Sequence, residues 1–219
     1  MKKFRILLLL LAALLLFSAC TILPTLKKTE EGYLHSKTKA VYKEAPINYL
    51  AARRSKDAVA RLKDATGQHL LYSAGEDLLC YEDGTLYVPV GTTFPTLDRF
   101  SANRLNLCKE ESIRVELTTS TNAELLEEVS DAFLDPDAVL ARGDLPQGFA
   151  SERYLVLLLS KEYANYCFQL EYYVFEKGED PYSEWPFETD TYGFLYDRAS
   201  DRCAPAPAIL YDLLAGALS

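Results

Sequence analysis

The chain has 219 residues, 49% of them apolar and 25% charged, with 32 acidic against 23 basic residues and a net charge of −9. These fractions are ordinary for a globular protein, and the acidic balance disfavours binding to nucleic acid. One long apolar run occurs, at Ile6–Phe17, so no other segment is expected to span a bilayer.

The N-terminus carries the clearest signal. Lys2, Lys3 and Arg5 precede twelve unbroken apolar residues, Ile6 to Phe17. A spanning helix needs about 20 apolar residues, so this run has the length and flanks of a secretory signal instead. The stretch Phe17-Ser18-Ala19-Cys20 resembles the lipobox of bacterial lipoproteins, with Phe17 in place of the usual leucine. The resemblance implies cleavage by signal peptidase II before Cys20 and acylation of that cysteine. The membrane would then be a partner through the N-terminal lipid, with the folded part on its outer face. The expected organisation is a signal peptide at 1–19, a lipidated tether at 20–46 and a single domain at 47–219, with a subdivision near 105–112.

Charge is unevenly distributed. Lys27–Asp64 holds ten basic and five acidic residues, a net of +5, while Ala65–Ser219 holds ten basic and 27 acidic residues, a net of −17. Basic residues close to an anionic leaflet are attracted and acidic ones repelled. The asymmetry is therefore expected to turn the acidic part away from the membrane.

Thr21–Pro46 mixes Lys, Glu, Thr, Gly and Ser with few periodic apolar residues and reads as tether. Ile47, Leu50, Ala51, Ala58, Val59 and Leu62 fall at helical spacing and predict an amphipathic helix ending near Thr66-Gly67. Short apolar runs at His69–Ser73, Asp77–Glu82 and Thr85–Val90 predict strands. Asp83-Gly84 between the last two predicts a hairpin with a type I′ turn. Pro89 marks the third as an edge or its end. Gly91–Arg104 reads as a loop.

Ile113, Val115 and Leu117 alternate with polar residues, the pattern of a half-buried strand. Thr121-Asn122-Ala123-Glu124 reads as a capping box opening a helix with Leu125, Leu126, Val129 and Phe133 on one stripe, ended by Asp135-Pro136. Tyr154–Leu159 is apolar throughout and predicts a central strand covered on both faces. Phe168–Val174 and Tyr192–Tyr196 predict two more strands, and Pro207 precedes a closing helix carrying Ile209, Leu210, Leu213 and Leu214. Helices and strands do not alternate strictly, so the expected fold class is α+β, with helices packed on a mainly antiparallel sheet. The layout from Ile113 to Tyr196 resembles small uncharacterised modules in surface lipoproteins of low-GC Gram-positive bacteria.

Beyond Cys20, an even set of cysteines remains: Cys80, Cys108, Cys167 and Cys203. In an exported protein they can form two disulfides, in any of three connectivities; buried thiols are the alternative. Their spacing fits no zinc site, and no metal ligand set or cofactor is expected. Neither His35 nor His69 has a metal-type companion, and His69 reads as an edge-strand residue. Ser36-x-x-Lys39 stands in the tether without companion motifs. Asp135 and Asp137 flank Pro136. Glu176–Asp190 concentrates carboxylates around Tyr182, Trp185 and Phe187, and these aromatics read as a candidate interaction loop. The functional expectation is a membrane-anchored binding module for a protein or envelope partner. The alternative is an envelope glycan or peptide hydrolase using Asp/Glu residues, which requires a cleft with two or more carboxyls, one of raised pKa.

Overall fold

The structure, a computed structural model, describes residues 23–50, 57–75, 77–110, 113–144, 151–175 and 193–219. Its first half is a closed barrel. The strands are β1 (Thr25–Thr29), β2 (Gly32–His35), β3 (Val41–Glu44), β5 (Ala58–Lys63), β6 (Gln68–Gly75), β7 (Leu78–Cys80) and β8 (Leu86–Pro89), in the ring order β1-β2-β3-β8-β7-β6-β5. A ring of seven strands cannot alternate direction all the way round. The one parallel pair is β1 with β5, where Leu26 meets Leu62, and every other neighbour is antiparallel. Leu26, Tyr42, Ala60, Leu62, Leu71, Leu79 and Tyr87 fill the interior.

The second half is an antiparallel sheet. It comprises β9 (Arg104–Glu110), β10 (Arg114–Ser120), β11 (Leu140–Ala141), β12 (Ser151–Leu159), β13 (Tyr166–Phe175), β14 (Gly193–Asp197) and β15 (Arg202–Pro205), in the order β10-β9-β12-β13-β14-β15-β11. Between β3 and β5 the chain makes a short β4 (Asn48–Tyr49), which pairs with Tyr166 and Cys167 of β13 and so joins the barrel to the sheet. Tyr49 is held from both sides: its amide donates to Gly84 O in the barrel (2.8 Å), and its ring meets Tyr166 edge-on at 5.8 Å.

One continuous core binds the two halves. Ala74, Cys80, Leu86 and Val88 point out of the barrel and pack with Leu105, Leu107, Val156, Leu158, Phe168 and Leu170 of the sheet. Leu125, Leu126 and Val129 of α1 (Ala123–Asp131) and Leu210 and Leu214 of α2 (Ala208–Leu218) close the same cluster. On the opposite face of the sheet, Cys108, Leu155, Leu157, Leu159 and Cys167 form a second cluster with Leu50. Tyr154–Leu159 is therefore buried on both faces. Among the described residues no helix is long and apolar enough to cross a membrane.

The expected α+β class, with helices packed on a mainly antiparallel sheet, is overturned. The molecule is mostly β, its first half is a closed barrel, and two α-helices are present among the described residues. Two misreadings produced that expectation. The stretch read as tether contains β1, β2 and β3, and the predicted helix after Ile47 is instead β4 and β5 where it is described. In β5 only Ala60 and Leu62 are buried, with Val59, Arg61 and Lys63 exposed, a two-residue period that helical spacing also fits over so short a run. Strand β9 also emerges, from a region marked only as a subdivision.

Local details shift as well. The cap of α1 is Asn122, not Thr121: its Oδ1 accepts from the Glu124 amide (2.9 Å) and the Leu125 amide (3.4 Å). The β7–β8 turn is not type I′, since among the described turn residues only Gly84 has positive φ (+99°). The Gly84 amide donates to Tyr81 O (3.1 Å) and the Tyr81 amide to Thr85 O (2.8 Å), a turn that ends in a glycine bulge.

Candidate functional site

At one mouth of the barrel the chain forms an open cleft of about 230 Å³ lined by Glu44, Asp64, His69, Tyr81, Asp83, Tyr87 and Arg198, among others. Four separate segments supply it. Glu44 ends β3; Asp64, Thr66 and His69 surround the β5–β6 turn; Tyr81, Asp83 and Tyr87 flank the β7–β8 turn; and Arg198 comes from the β14–β15 turn of the sheet. A smaller space of about 40 Å³ adjoins it through Glu44, Asp83, Thr85 and Arg198 and extends to Gln169 and Glu171 on β13.

The β5–β6 turn is built by Asp64. Its Oδ1 accepts from the Thr66 amide (2.8 Å), the Gly67 amide (3.0 Å) and the Thr66 hydroxyl (2.7 Å). These bonds, the Thr66 hydroxyl foremost, hold the carboxyl below its ordinary range, with a further contribution from His69. Because Thr66 Oγ1 donates to Asp64, its contact with His69 Nε2 (2.9 Å) must be one in which it accepts. That places the ring proton on Nε2 and leaves Nδ1 to accept from the Tyr81 hydroxyl at 3.2 Å. Tyr81, His69, Thr66 and Asp64 thus form one directed chain of hydrogen bonds along the cleft wall.

The other carboxyl behaves in the opposite way. Partial burial of the Glu44 carboxyl raises its pKa, and Asp83 adds to this while Arg198 opposes it. Glu44 as a residue remains exposed, so water still reaches it and limits the effect. Burial likewise raises the hydroxyls of Tyr81 and Tyr87, with Asp83 and Glu44 respectively as the main charged contributors. Both tyrosines therefore stay protonated at neutral pH and act as donors. The cleft is lined by three carboxyls and one guanidinium, beside two tyrosine rings.

The residues singled out from sequence fall elsewhere. Phe17, Ser18, Ala19 and Cys20, and the loop aromatics Tyr182, Trp185 and Phe187, lie outside the described residues. Cys80, Cys108, Cys167 and Cys203 are buried thiols on β7, β9, β13 and β15. Cys108, Cys167 and Cys203 stand on strands that are never adjacent. At about 4.8 Å per strand their backbones are too far apart for a disulfide. Ser36 and Lys39 belong to the β2–β3 connection, where the Ser36 hydroxyl accepts from the Thr25 amide (2.8 Å). Asp135 caps a 3-10 turn through the Asp137 amide (3.0 Å). His69 is the one singled-out residue that the cleft takes up. Glu44, Asp64 and Arg198 were not singled out, because no sequence spacing links four distant segments, and Asp83 was read only as a turn residue. The Asp64-Ala65-Thr66-Gly67 and Asp83-Gly84 turns were the available signal.

Among the described residues no group of three or more His, Cys, Asp or Glu side chains is arranged to hold a metal ion. No family model, curated protein or solved structure matches the chain.

Proposed function

We propose that this protein is a lipid-anchored, extracytoplasmic binding module whose barrel mouth holds a small amine-bearing solute of the cell envelope. The observation that carries the ligand class is the convergence of Glu44, Asp64 and Asp83 with Tyr81 and Tyr87 around one cleft. Three carboxyls against one guanidinium favour a cation, and tyrosine faces add cation–π attraction. Donors on Tyr87 and Thr85, with the Tyr81 hydroxyl oxygen as an acceptor, suit hydroxyls on the same ligand. The anchor is supported by the charged start, the apolar run and the Phe17–Cys20 stretch.

Nuclear magnetic resonance titration tests the cleft. Glucosamine is expected to move the resonances of His69, Tyr81 and Thr85 more than uncharged N-acetylglucosamine does, and Asp83→Asn is expected to weaken the response. Equal responses to the two sugars, or none in the cleft, would remove the ligand class. The anchor is tested by the mass of the cellular protein's N-terminal peptide, which should begin at an acylated Cys20.

One observation favours a second reading, hydrolysis of an envelope glycan or peptide. Glu44 and Asp64 are pushed in opposite directions, the division of labour seen in acid–base pairs. Glu44 would then be the proton donor and Asp64 the ionised partner. Release of reducing ends from envelope glycan by the wild type and not by Glu44→Gln would replace binding with catalysis.

A further inference from the structure

We propose that the outer wall of the barrel formed by β1, β5 and β6 docks on an anionic membrane surface, an inference that rests on the lipid anchor proposed above. Leu26 and Leu62 point into the barrel, so their neighbours Lys27, Arg61 and Lys63 point outward. The parallel register sets Lys27 beside Lys63 and Thr25 beside Arg61. The next strand contributes Leu70, opposite Arg61 and 43% exposed, and the β5 bulge contributes Val59 at 37%. A wall that mixes exposed basic groups with exposed aliphatic ones matches the headgroup layer of an anionic leaflet.

Two further observations fix its orientation. Strands β1 and β5 lie across the ring from β7 and β8, whose outward residues are packed on the sheet, and β6 joins the wall only at its Leu70 end because Ala74 further along packs on the sheet, so the basic side faces away from the acidic half. The chain also enters the barrel almost at once. The Arg61 amide donates to Pro24 O at 2.8 Å, which pins Pro24 to β5. Only three residues separate Cys20 from Pro24, and these four residue-to-residue steps reach about 14 Å when fully extended. An acyl group on Cys20 therefore keeps this wall within a Debye length or two of the surface. The acids nearest the wall flank the ends of its strands. Glu30 and Glu31 stand in the β1–β2 turn beyond Lys27, Asp57 precedes β5, and Asp64 is bonded to Thr66 and Gly67.

The test uses the full-length protein made in bacteria, extracted and reconstituted into vesicles of phosphatidylcholine alone or mixed with phosphatidylglycerol. Each lysine's rate of acylation by an amine-reactive reagent is read by mass spectrometry, with Lys161, in the β12–β13 turn at one end of the sheet, as the internal reference. On the anionic vesicles Lys27 and Lys63 are expected to slow about fivefold relative to Lys161, and the slowing should vanish in high salt and in Arg61→Glu. Equal relative rates on both vesicle types would overturn the docking. Failure to float with the neutral vesicles, together with an unmodified Cys20, would overturn the anchor instead. The lysine comparison on anionic vesicles would still decide the docking by itself.

Discussion

The Tyr81 hydroxyl lies 3.2 Å from His69 Nδ1, and the two rings meet edge to face with centroids 5.3 Å apart. His69 stands near the start of β6 and Tyr81 just past the end of β7, two consecutive strands paired antiparallel, so the contact forms at the mouth end of that pair. The contact fixes the imidazole in one tautomer, because its other nitrogen donates to Thr66, which in turn donates to Asp64.

A chain of hydrogen bonds with one direction should behave as a unit. Tyr81→Phe removes the donor to Nδ1 and should cost about 0.5–1.5 kcal/mol. Thr66→Val breaks the link between His69 and Asp64. The double variant should lose measurably less than the two losses added together, with a coupling of about 0.5 kcal/mol or more by urea denaturation. Strict additivity would mean that the four groups act separately.

His35 gives the molecule an acid-sensitive point away from the cleft. It is buried, and its Nδ1 accepts from the Thr38 amide at 3.0 Å. Burial, reinforced by Lys37, lowers its pKa below the ordinary histidine value. A pKa lowered in the folded state means that the neutral form is preferred there. The stabilisation is then complete above about pH 6.5, the unfolded value, and is lost as pH falls through the folded one. Urea midpoints of the wild type should fall on acidification below neutrality, and His35→Gln should flatten that part of the profile. An unchanged slope in the variant would place the acid sensitivity elsewhere.

The glycine of the β7–β8 turn should be the most costly single methyl to add near the cleft. Gly84 has φ +99°, and a Cβ there would stand 2.7 Å from Tyr49 O, the residue that joins barrel to sheet. Gly84→Ala therefore meets both backbone strain and a backbone collision. The expected loss is more than about 1 kcal/mol, or several degrees in melting temperature for a chain of this size. A variant that melts with the wild type would show that the turn can relax.

The parts of the fold that could be read in advance are those where one strand or helix carries its own pattern. Six apolar residues from Tyr154 to Leu159 announce a strand covered on both faces, and Leu125, Leu126 and Val129 announce a helix stripe. The barrel defeats the same reasoning, because each short strand spends few residues on the interior. β1 buries only Leu26, and β3 only Tyr42. Single buried residues among lysines and threonines look like tether until the ring closes around them. The cleft was illegible for a related reason: Glu44, Asp64, Asp83 and Arg198 converge only through strand pairing across the barrel and its junction with the sheet.

The four buried thiols make a prediction that also bears on the anchor. Burial pushes Cys167 and Cys203 up to about 12 and raises Cys108, so almost no thiolate exists at pH 8, roughly one part in ten thousand at the upper value. All four side chains are also shielded from reagents, since Cys80, Cys108, Cys167 and Cys203 are each no more than 2% exposed. The native protein should therefore give almost no colour with a thiol-specific disulfide reagent, and the guanidinium-unfolded protein should give the full count. That count separates the alternatives. Four equivalents fit a chain whose Cys20 is blocked by acylation, and five fit one whose Cys20 is unmodified. Fewer than four would mean that at least one disulfide has formed, against the strand separations of Cys108, Cys167 and Cys203. A fast equivalent before unfolding would show that one of these strands opens to solvent.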